Sequence, residues 1–232
     1  MTDSSHEPLD APTDVETGRP RWLFRRIEVV IVVLLGLVSF ATAYTSFEAS
    51  LYGGSSSTLY SKGNNNETEA ESLYLEANQQ YMQDAQTIAS LAELKVAADS
   101  GDAIAQAQYD ELYFISVSDD LDKAITKADK ANAADPTTYT SPLDDKKYQA
   151  ALFGDYADKS DSGVAKVKQA DVDNAFGDRL TLNTVLMALT LFLLGVGAVV
   201  RQSRTKIVLA AFGMTIFVAA AVLTALIPFI WL

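Results

Sequence analysis

Three apolar runs decide most of what this chain can fold into. Ile27 to Tyr44 (IEVVIVVLLGLVSFATAY) carries one charge, Glu28, at its edge. Leu180 to Val200 (LTLNTVLMALTLFLLGVGAVV) carries none, and neither does Ile207 to Leu232. A helix crosses the hydrocarbon core of a bilayer with about 20 apolar residues, and each run is about that long. Buried helices of a soluble core would be the rival reading, but three such runs crowd a chain of only 232 residues. The runs predict three transmembrane helices.

Orientation follows from the charges. Arg19, Arg21, Arg25 and Arg26 precede the first run, and Arg201, Arg204 and Lys206 fill the turn between the second and third. Between Thr45 and Arg179 there are 24 Asp and Glu against 10 Lys and one Arg. Basic residues beside span ends mark the cytoplasmic side. The expected topology has the amino terminus and the turn inside the cell membrane and the acidic segment outside. Trp22 and Trp231 would then sit at opposite interfaces. Ala41-Thr42-Ala43 has the small-residue form of a signal cleavage site. The long polar region before Arg19, with five acidic residues, favours an uncleaved anchor. There is no cysteine, hence no disulfide framework and no thiol chemistry.

The expected organisation is a disordered cytoplasmic tail at 1–20, a juxtamembrane segment and first span at 21–46, and an extracytoplasmic helical domain at 47–179. A second span at 180–200, a turn at 201–206 and a third span with a short outer end at 207–232 complete the chain. Within the outer segment, Tyr74, Ala77, Tyr81, Ala85, Ile88 and Ala92 recur at helical spacing. Asp99-Ser100-Gly101-Asp102 reads as a helix end followed by a new N-cap. A helix over 103–133 should be interrupted at Ile115-Ser116-Val117-Ser118, with Asp119 capping its second piece. Pro136 and Pro142 exclude a helix across 134–142. Helical character returns from Leu143, with Tyr148, Leu152 and Tyr156 in phase, and weakens at Ser160-Asp161-Ser162-Gly163.

The stretch after the first run is ambiguous. Gly53-Gly54-Ser55-Ser56-Ser57 and Gly63-Asn64-Asn65-Asn66 read as a linker, because each Gly costs a helix about 1 kcal/mol relative to Ala. There is no proline, however, and Tyr44, Phe47, Leu51, Gly54 and Thr58 keep a three-four rhythm. Small residues on that face would let another helix approach closely. Leu51-Tyr52-Gly53-Gly54, Tyr60, Ser100-Gly101-Asp102, Asp135-Pro136, Ser141-Pro142 and Leu182-Asn183-Thr184-Val185-Leu186 form a pattern that resembles an uncharacterised bacterial family. Its members are three-span membrane proteins with a helical extracytoplasmic insert. In that family the first stretch usually reads leucine-tryptophan-small-glycine-x-glutamine and is helical; here Tyr52 and Ser56 stand in for the tryptophan and glutamine. The resemblance implies a continuous or gently kinked helix, with Gly63 as the expected weak point. The fold class expected is therefore all-α: three transmembrane helices with an elongated helical bundle or coiled-coil stalk continuous with spans 1 and 2.

Chemistry is sparse. The only histidine, His6, lies in the tail, so no histidine general base or zinc site can form in the outer segment. No catalytic residue, cofactor site or metal site is assigned, and an enzyme is not expected. Asp158-Lys159-Ser160-Asp161-Ser162-Gly163 opens like a calcium loop, but Lys166 and Gln169 occupy its ninth and twelfth positions. Asp171-Val172-Asp173-Asn174 departs from the pattern sooner. Asp119, Asp120 and Asp122 suit a helix N-terminus. Asn66-Glu67-Thr68 has the form of a glycosylation sequon. Asn183 and Thr181, Thr184 and Thr190 are the polar residues of the second run, expected to bond between helices. Ser39-x-x-x-Ala43 and Ala221-x-x-x-Ala225 are candidate packing faces.

The expected function is a non-enzymatic structural or accessory membrane protein. It would self-associate as a homo-oligomer or join a membrane complex, with the lipid bilayer as solvent and no nucleic-acid partner. An extracytoplasmic sensor signalling through a partner chain, or an oligomeric pore, are the alternatives.

Overall fold

The computed structural model describes the backbone of residues 21–230 and the side chains of residues 27–230. The tail at 1–20 with His6 and Arg19, the side chains of Arg21, Trp22, Arg25 and Arg26, and Trp231 lie outside the described residues. The fold is all-α among the described residues: α1 Arg21–Asp99, α2 Ala103–Ser116, α3 Asp119–Ala134, α4 Lys146–Val199 and α5 Ser203–Ala225, with a 3-10 turn at Pro142–Asp144. Three of these helices are long and apolar enough to cross a membrane: α1, α4 and α5. The chain divides into two compact units. One comprises the chain up to Leu51 together with Phe176 onward, and the other spans Tyr52–Ala175.

The first unit packs segments of α1, α4 and α5. Burial recurs every seven residues: Ile31, Val38 and Thr45 on α1; Leu180, Met187 and Leu194 on α4; Lys206, Gly213 and Ala220 on α5. Ile31, Val38, Met187, Leu194, Phe217 and Ala220 form its core. Large apolar side chains such as Val32, Phe40, Val185, Phe192 and Phe212 are more than half exposed on the outside. A helix hydrophobic all round suits a surrounding that is itself apolar. Polar side chains turn inward. Asn183 Nδ2 donates to Thr224 Oγ1 at 3.1 Å, and Thr190 Oγ1 donates to the Gly213 carbonyl at 3.2 Å. Thr181 and Thr184 bond only carbonyls of their own helix, Gly177 and Leu180. The expected packing face Ser39–Ala43 is exposed instead, since the seven-residue seam runs through Val38 and Thr45. Lys206 Nζ pairs with Glu28 Oε1 at 3.2 Å, so the start of the first apolar run and the α4–α5 turn share one end of the unit.

The second unit pairs the part of α1 from Tyr52 onward with α4, antiparallel, and adds α2 and α3. Here α1 runs unbroken through 53–66. The expected fault at Gly63 is a contact instead. A Cβ on Gly63 would stand 2.7 Å from Val167 Cγ2 and 3.2 Å from the Gly163 carbonyl oxygen. One on Gly163 would meet Glu67 Cγ at 3.0 Å and the Gly63 carbonyl at 3.2 Å. Two glycines facing each other let two backbones close to a distance that side chains would forbid. The expected weakening at 160–163 is likewise corrected: α4 is continuous there, because Gly163 is the partner of that crossing. The face Tyr44–Phe47–Gly54–Thr58, expected to receive a helix, is exposed; Tyr52, Ser56 and Gly63 carry the contact.

The connections follow their local chemistry. Gly101 takes φ +98°, the left-handed conformation that ends α1, and Asp102 Oδ1 accepts from the Ile104 and Ala105 amides to start α2. The interruption at 115–118 occurs as expected, but Ser118 rather than Asp119 caps α3, its Oγ accepting from the Leu121 amide. Ser118 has the extended backbone that an N-cap requires, whereas Asp119 is already helical. After the 3-10 turn, Asp145 Oδ1 accepts from the amides of Lys147 and Tyr148, so α4 begins at Lys146 rather than Leu143. The third apolar run is helical only to Ala225, since Pro228 disfavours helix at the residue before it.

The glycines give a test with opposite signs. Gly53 and Gly54 have open space where a Cβ would go. Gly53→Ala or Gly54→Ala should each stabilise the protein by up to about 1 kcal/mol through helix propensity. Gly63→Ala should destabilise it by about 1–3 kcal/mol despite the same gain, because the helices must part. Denaturation in mild detergent, followed by the helical circular dichroism signal, reads both.

Candidate functional site

The feature most heavily built from specific side chains is the α1–α4 seam of the second unit. On α1 the buried positions are Tyr52 and then Ser56, Gly63, Ala70, Ala77, Asp84 and Leu91, these six each seven residues after the last. Only one of the six is a large aliphatic residue, so the seam is narrow and partly polar. Its hydrogen bonds run in antiparallel order. Ser55 Oγ donates to Asp173 Oδ2 at 2.6 Å, the Tyr60 hydroxyl donates to Asp171, and Asn66 Nδ2 donates to Ser162 Oγ at 3.0 Å. Lys159 Nζ pairs with Glu69 Oε2 at 2.8 Å, and the Tyr74 ring meets those of Tyr156 and Phe153 at 5.1 and 6.0 Å. At its far end the Tyr148 hydroxyl donates to Asp84 Oδ2 at 2.6 Å, while Gln80 Nε2 donates to Oδ1 at 2.8 Å.

Asp84 is 2% exposed, so its satisfaction matters. A buried carboxylate is tolerated when its lone pairs are filled, and here both oxygens have a donor. Burial, then the Asp84 acceptor, pushes the Tyr148 phenol above the ordinary tyrosine range. Tyr113, bonded to Asp122, moves the same way for the same causes. These tyrosines stay protonated across the physiological range and serve as fixed donors. Tyr148 also stands in a small core with Leu121 and Ala124, flanked by Ile88, Ile125 and Leu152. The seam thus ties α1 and α4 to α3.

The acidic motifs land on this framework. The 158–163 segment is helical, and a helix points alternate side chains to opposite sides, so its oxygens do not converge as a calcium loop requires. Its members serve the seam: Lys159 to Glu69, Ser162 to Asn66, Gly163 to Gly63. Asp171 and Asp173 accept from α1 hydroxyls. Asp119, Asp120 and Asp122 occupy the first turn of α3, and Asp120 pairs with Lys123 at 2.9 Å. The sequon residue Asn66 has its amide committed to the helix contact. Sequence reasoning missed Asp84, Asp173 and Ser56 as interior positions because they are polar. The signal that finds Ser56 and Asp84 is the seven-residue interval shared with Ala70 and Ala77 on α1, and Asp173 stands at the same interval from Leu180 on α4.

A second surface lies on the opposite side of α1. Leu75, Asn78, Met82, Ala85, Ala89, Ala92 and Val96 succeed one another at intervals of three and four. Leu75 is 67% exposed, Met82 57% and Val96 70%. A cavity of about 180 Å³ lies elsewhere in this unit, lined by Leu91, Lys95, Tyr109, Asp129, Asn132 and Tyr139 among others. Asn132 is occupied in holding the 134–141 connection, accepting from the Thr140 amide at 2.7 Å and donating to its carbonyl at 3.0 Å. No family model, curated protein or solved structure matches the chain.

Two outcomes test the seam. Tyr148→Phe should cost about 1–3 kcal/mol, because it leaves a buried Asp84 oxygen without its donor. The double variant Asp84→Leu, Tyr148→Phe should recover part of that loss, since an apolar pair leaves nothing unsatisfied. The pH dependence is a separate test. The Lys127 ammonium, followed by the Tyr148 and Lys147 amides, lowers the Asp145 carboxyl to about 2. A depressed carboxylate contributes stability above its unfolded pKa and loses it as pH falls through the folded value. The melting temperature should therefore fall between about pH 4 and pH 2, and more shallowly in Asp145→Asn.

Proposed function

We propose that the chain is a multi-pass membrane protein without catalytic activity that works by association, as a homo-oligomer or as a subunit of a larger membrane complex. One observation carries the reading: the exposed apolar stripe Leu75–Met82–Ala89–Val96 repeats every seven residues. Solvated helix faces have no reason to keep a seven-residue apolar register, whereas a partner helix in a left-handed coiled coil requires it. Asn78, in the same register, would fix alignment as a lone polar residue does in such seams. The most economical occupant is a second copy of the same stripe. The resemblance to a bacterial family of three-span proteins with a helical outer insert agrees with this reading.

In the same proposal α1, α4 and α5 span the cytoplasmic membrane, with the amino terminus inside and 47–179 outside. The Lys206–Glu28 pair supports it, since it brings the basic turn to the end of the unit where the arginines before the first run enter. The sensor alternative has less support. The cavity of about 180 Å³ is smaller than the roughly 300 Å³ at which small-molecule sites usually begin, and that of about 320 Å³ at Glu71, Tyr74, Leu75 and Tyr156 barely reaches it.

The test is the native mass of the full chain, gently extracted from its own membranes, before and after Leu75→Glu and Met82→Glu. Wild type should run at an integer multiple of 25.1 kDa or with additional chains, and the double variant should fall to the single subunit while keeping its helix content. A wild-type monomer, or an unchanged assembly in the variant, would remove the support this stripe provides.

A further inference from the structure

Glu48 is 2% exposed, and it lies in the unit that contains the apolar segments. Tyr44 stands one turn earlier on the same helix. Glu48 Oε1 is fully enclosed and has no hydrogen-bond partner among the described residues. Every other enclosed side-chain polar atom described has one, so this oxygen is an exception. Ionisable groups held within apolar helical packing are costly and mark sites by default.

The carboxylate lines a cavity of about 610 Å³. Besides the Tyr44 phenol, the other polar groups on its wall are two hydroxyls whose hydrogens are already used. Thr45 Oγ1 donates to Met187 Sδ at 3.6 Å, and Thr224 Oγ1 donates to the Ala220 carbonyl at 2.9 Å while accepting from Asn183. A hydroxyl whose hydrogen is committed offers only lone pairs. Among the described residues no basic side chain lines the cavity, so the Glu48 carboxylate and the two threonine hydroxyls present acceptors. The rest is apolar, with Ala41, Met187, Ala221 and Ile227 and the rings of Tyr44 and Phe229. A calcium ion takes about six to eight oxygen ligands, more than a carboxylate and three hydroxyls supply.

We propose that this cavity binds an alkylammonium group, a protonated amine carried on an apolar body. The nitrogen would donate to Glu48 Oε1 and to the lone pairs of Thr45 and Thr224. The apolar body lies along Met187 and Ala221, and the rings of Tyr44 and Phe229 attract the charge through their faces. The same chemistry is available from an amino-headgroup lipid or from a soluble apolar amine. Donors reaching Glu48 satisfy the one enclosed oxygen that the protein leaves open.

The test uses the full chain in nanodiscs of phosphatidylcholine and phosphatidylglycerol, with hexylammonium as probe and hexanol as the uncharged control. Hexylammonium should raise the melting temperature of the wild type by about 3 °C or more at saturation, and hexanol should not. Glu48→Gln, nearly isosteric, should abolish the rise, and Glu48→Asp, which withdraws the charge by one methylene, should diminish it. Discs containing phosphatidylethanolamine identify the source. If they stabilise the wild type over Glu48→Gln and leave hexylammonium nothing to add, the ligand is the lipid amine; if hexylammonium still adds its full shift, it is a soluble one. No hexylammonium shift in either disc, an equal shift with hexanol, or an equal shift in Glu48→Gln would overturn the proposal. It does not depend on the association reading, since a monomer could show the same shift.

Discussion

The contact on which the Tyr52–Ala175 unit depends is the crossing of α1 and α4 at Gly63 and Gly163. Glycine weakens an isolated helix, and this chain places three glycines, four serines and three asparagines within fourteen residues of α1, from Gly53 to Asn66. Such a segment has no reason to be helical alone. It becomes helical because its small residues let a second backbone approach to contact distance, where short polar side chains can reach across. Ser55 reaches Asp173, and Asn66 reaches Ser162, with side chains too short to span an ordinary helix pair. The weak propensity and the tight packing are two consequences of the same residue sizes. Tertiary contact, rather than local preference, supplies the helix.

The polar content of that seam shapes what the protein can be. A seam of Ser, Gly, Ala and Asp buries little apolar area, so specificity comes from paired groups more than from volume. Each hydrogen bond fixes register, because a slip of one residue would leave Asp84 or Asp173 enclosed without a donor. The unit containing the apolar segments obeys the reverse rule: its outside is apolar and its few polar groups face inward. Asn183 and Thr190 are satisfied there across helices, and Glu48 is the exception. One chain thus uses the seven-residue interval in two units of opposite surface character, with polar pairs inside in both.

Much of this was legible in the sequence. The three apolar runs, the turn at Asp99–Asp102, the break at Ile115–Ser118 and the non-helical stretch around Pro136 all appear where their residues require. These are local signals, set by hydropathy, by a left-handed glycine, by β-branching and by proline. The misreadings share one cause. Gly63, Gly163 and the Ser160–Gly163 segment were expected to weaken helices because composition was weighed without the partner helix that uses them. The three-four rhythm of Tyr44, Phe47, Leu51, Gly54 and Thr58 points to one face, whereas the packed face is the adjacent one through Tyr52 and Ser56. Asp84 and Glu48 are charged yet interior, which hydropathy alone does not reveal. The acidic motifs are linear patterns, and a helix disperses a linear pattern around its axis. A seven-residue count that accepted small and polar residues as interior would have found most of the seam.

Amide hydrogen exchange across residues 53–66 of the full chain in mild detergent tests the central claim most directly. If α4 holds this stretch helical, its amides should exchange as slowly as those of 77–91, where the sequence is a conventional helix former. Exchange at the rate of an unstructured peptide would show that the stretch is a tether after all. The glycine crossing and the polar seam built around it would then be wrong.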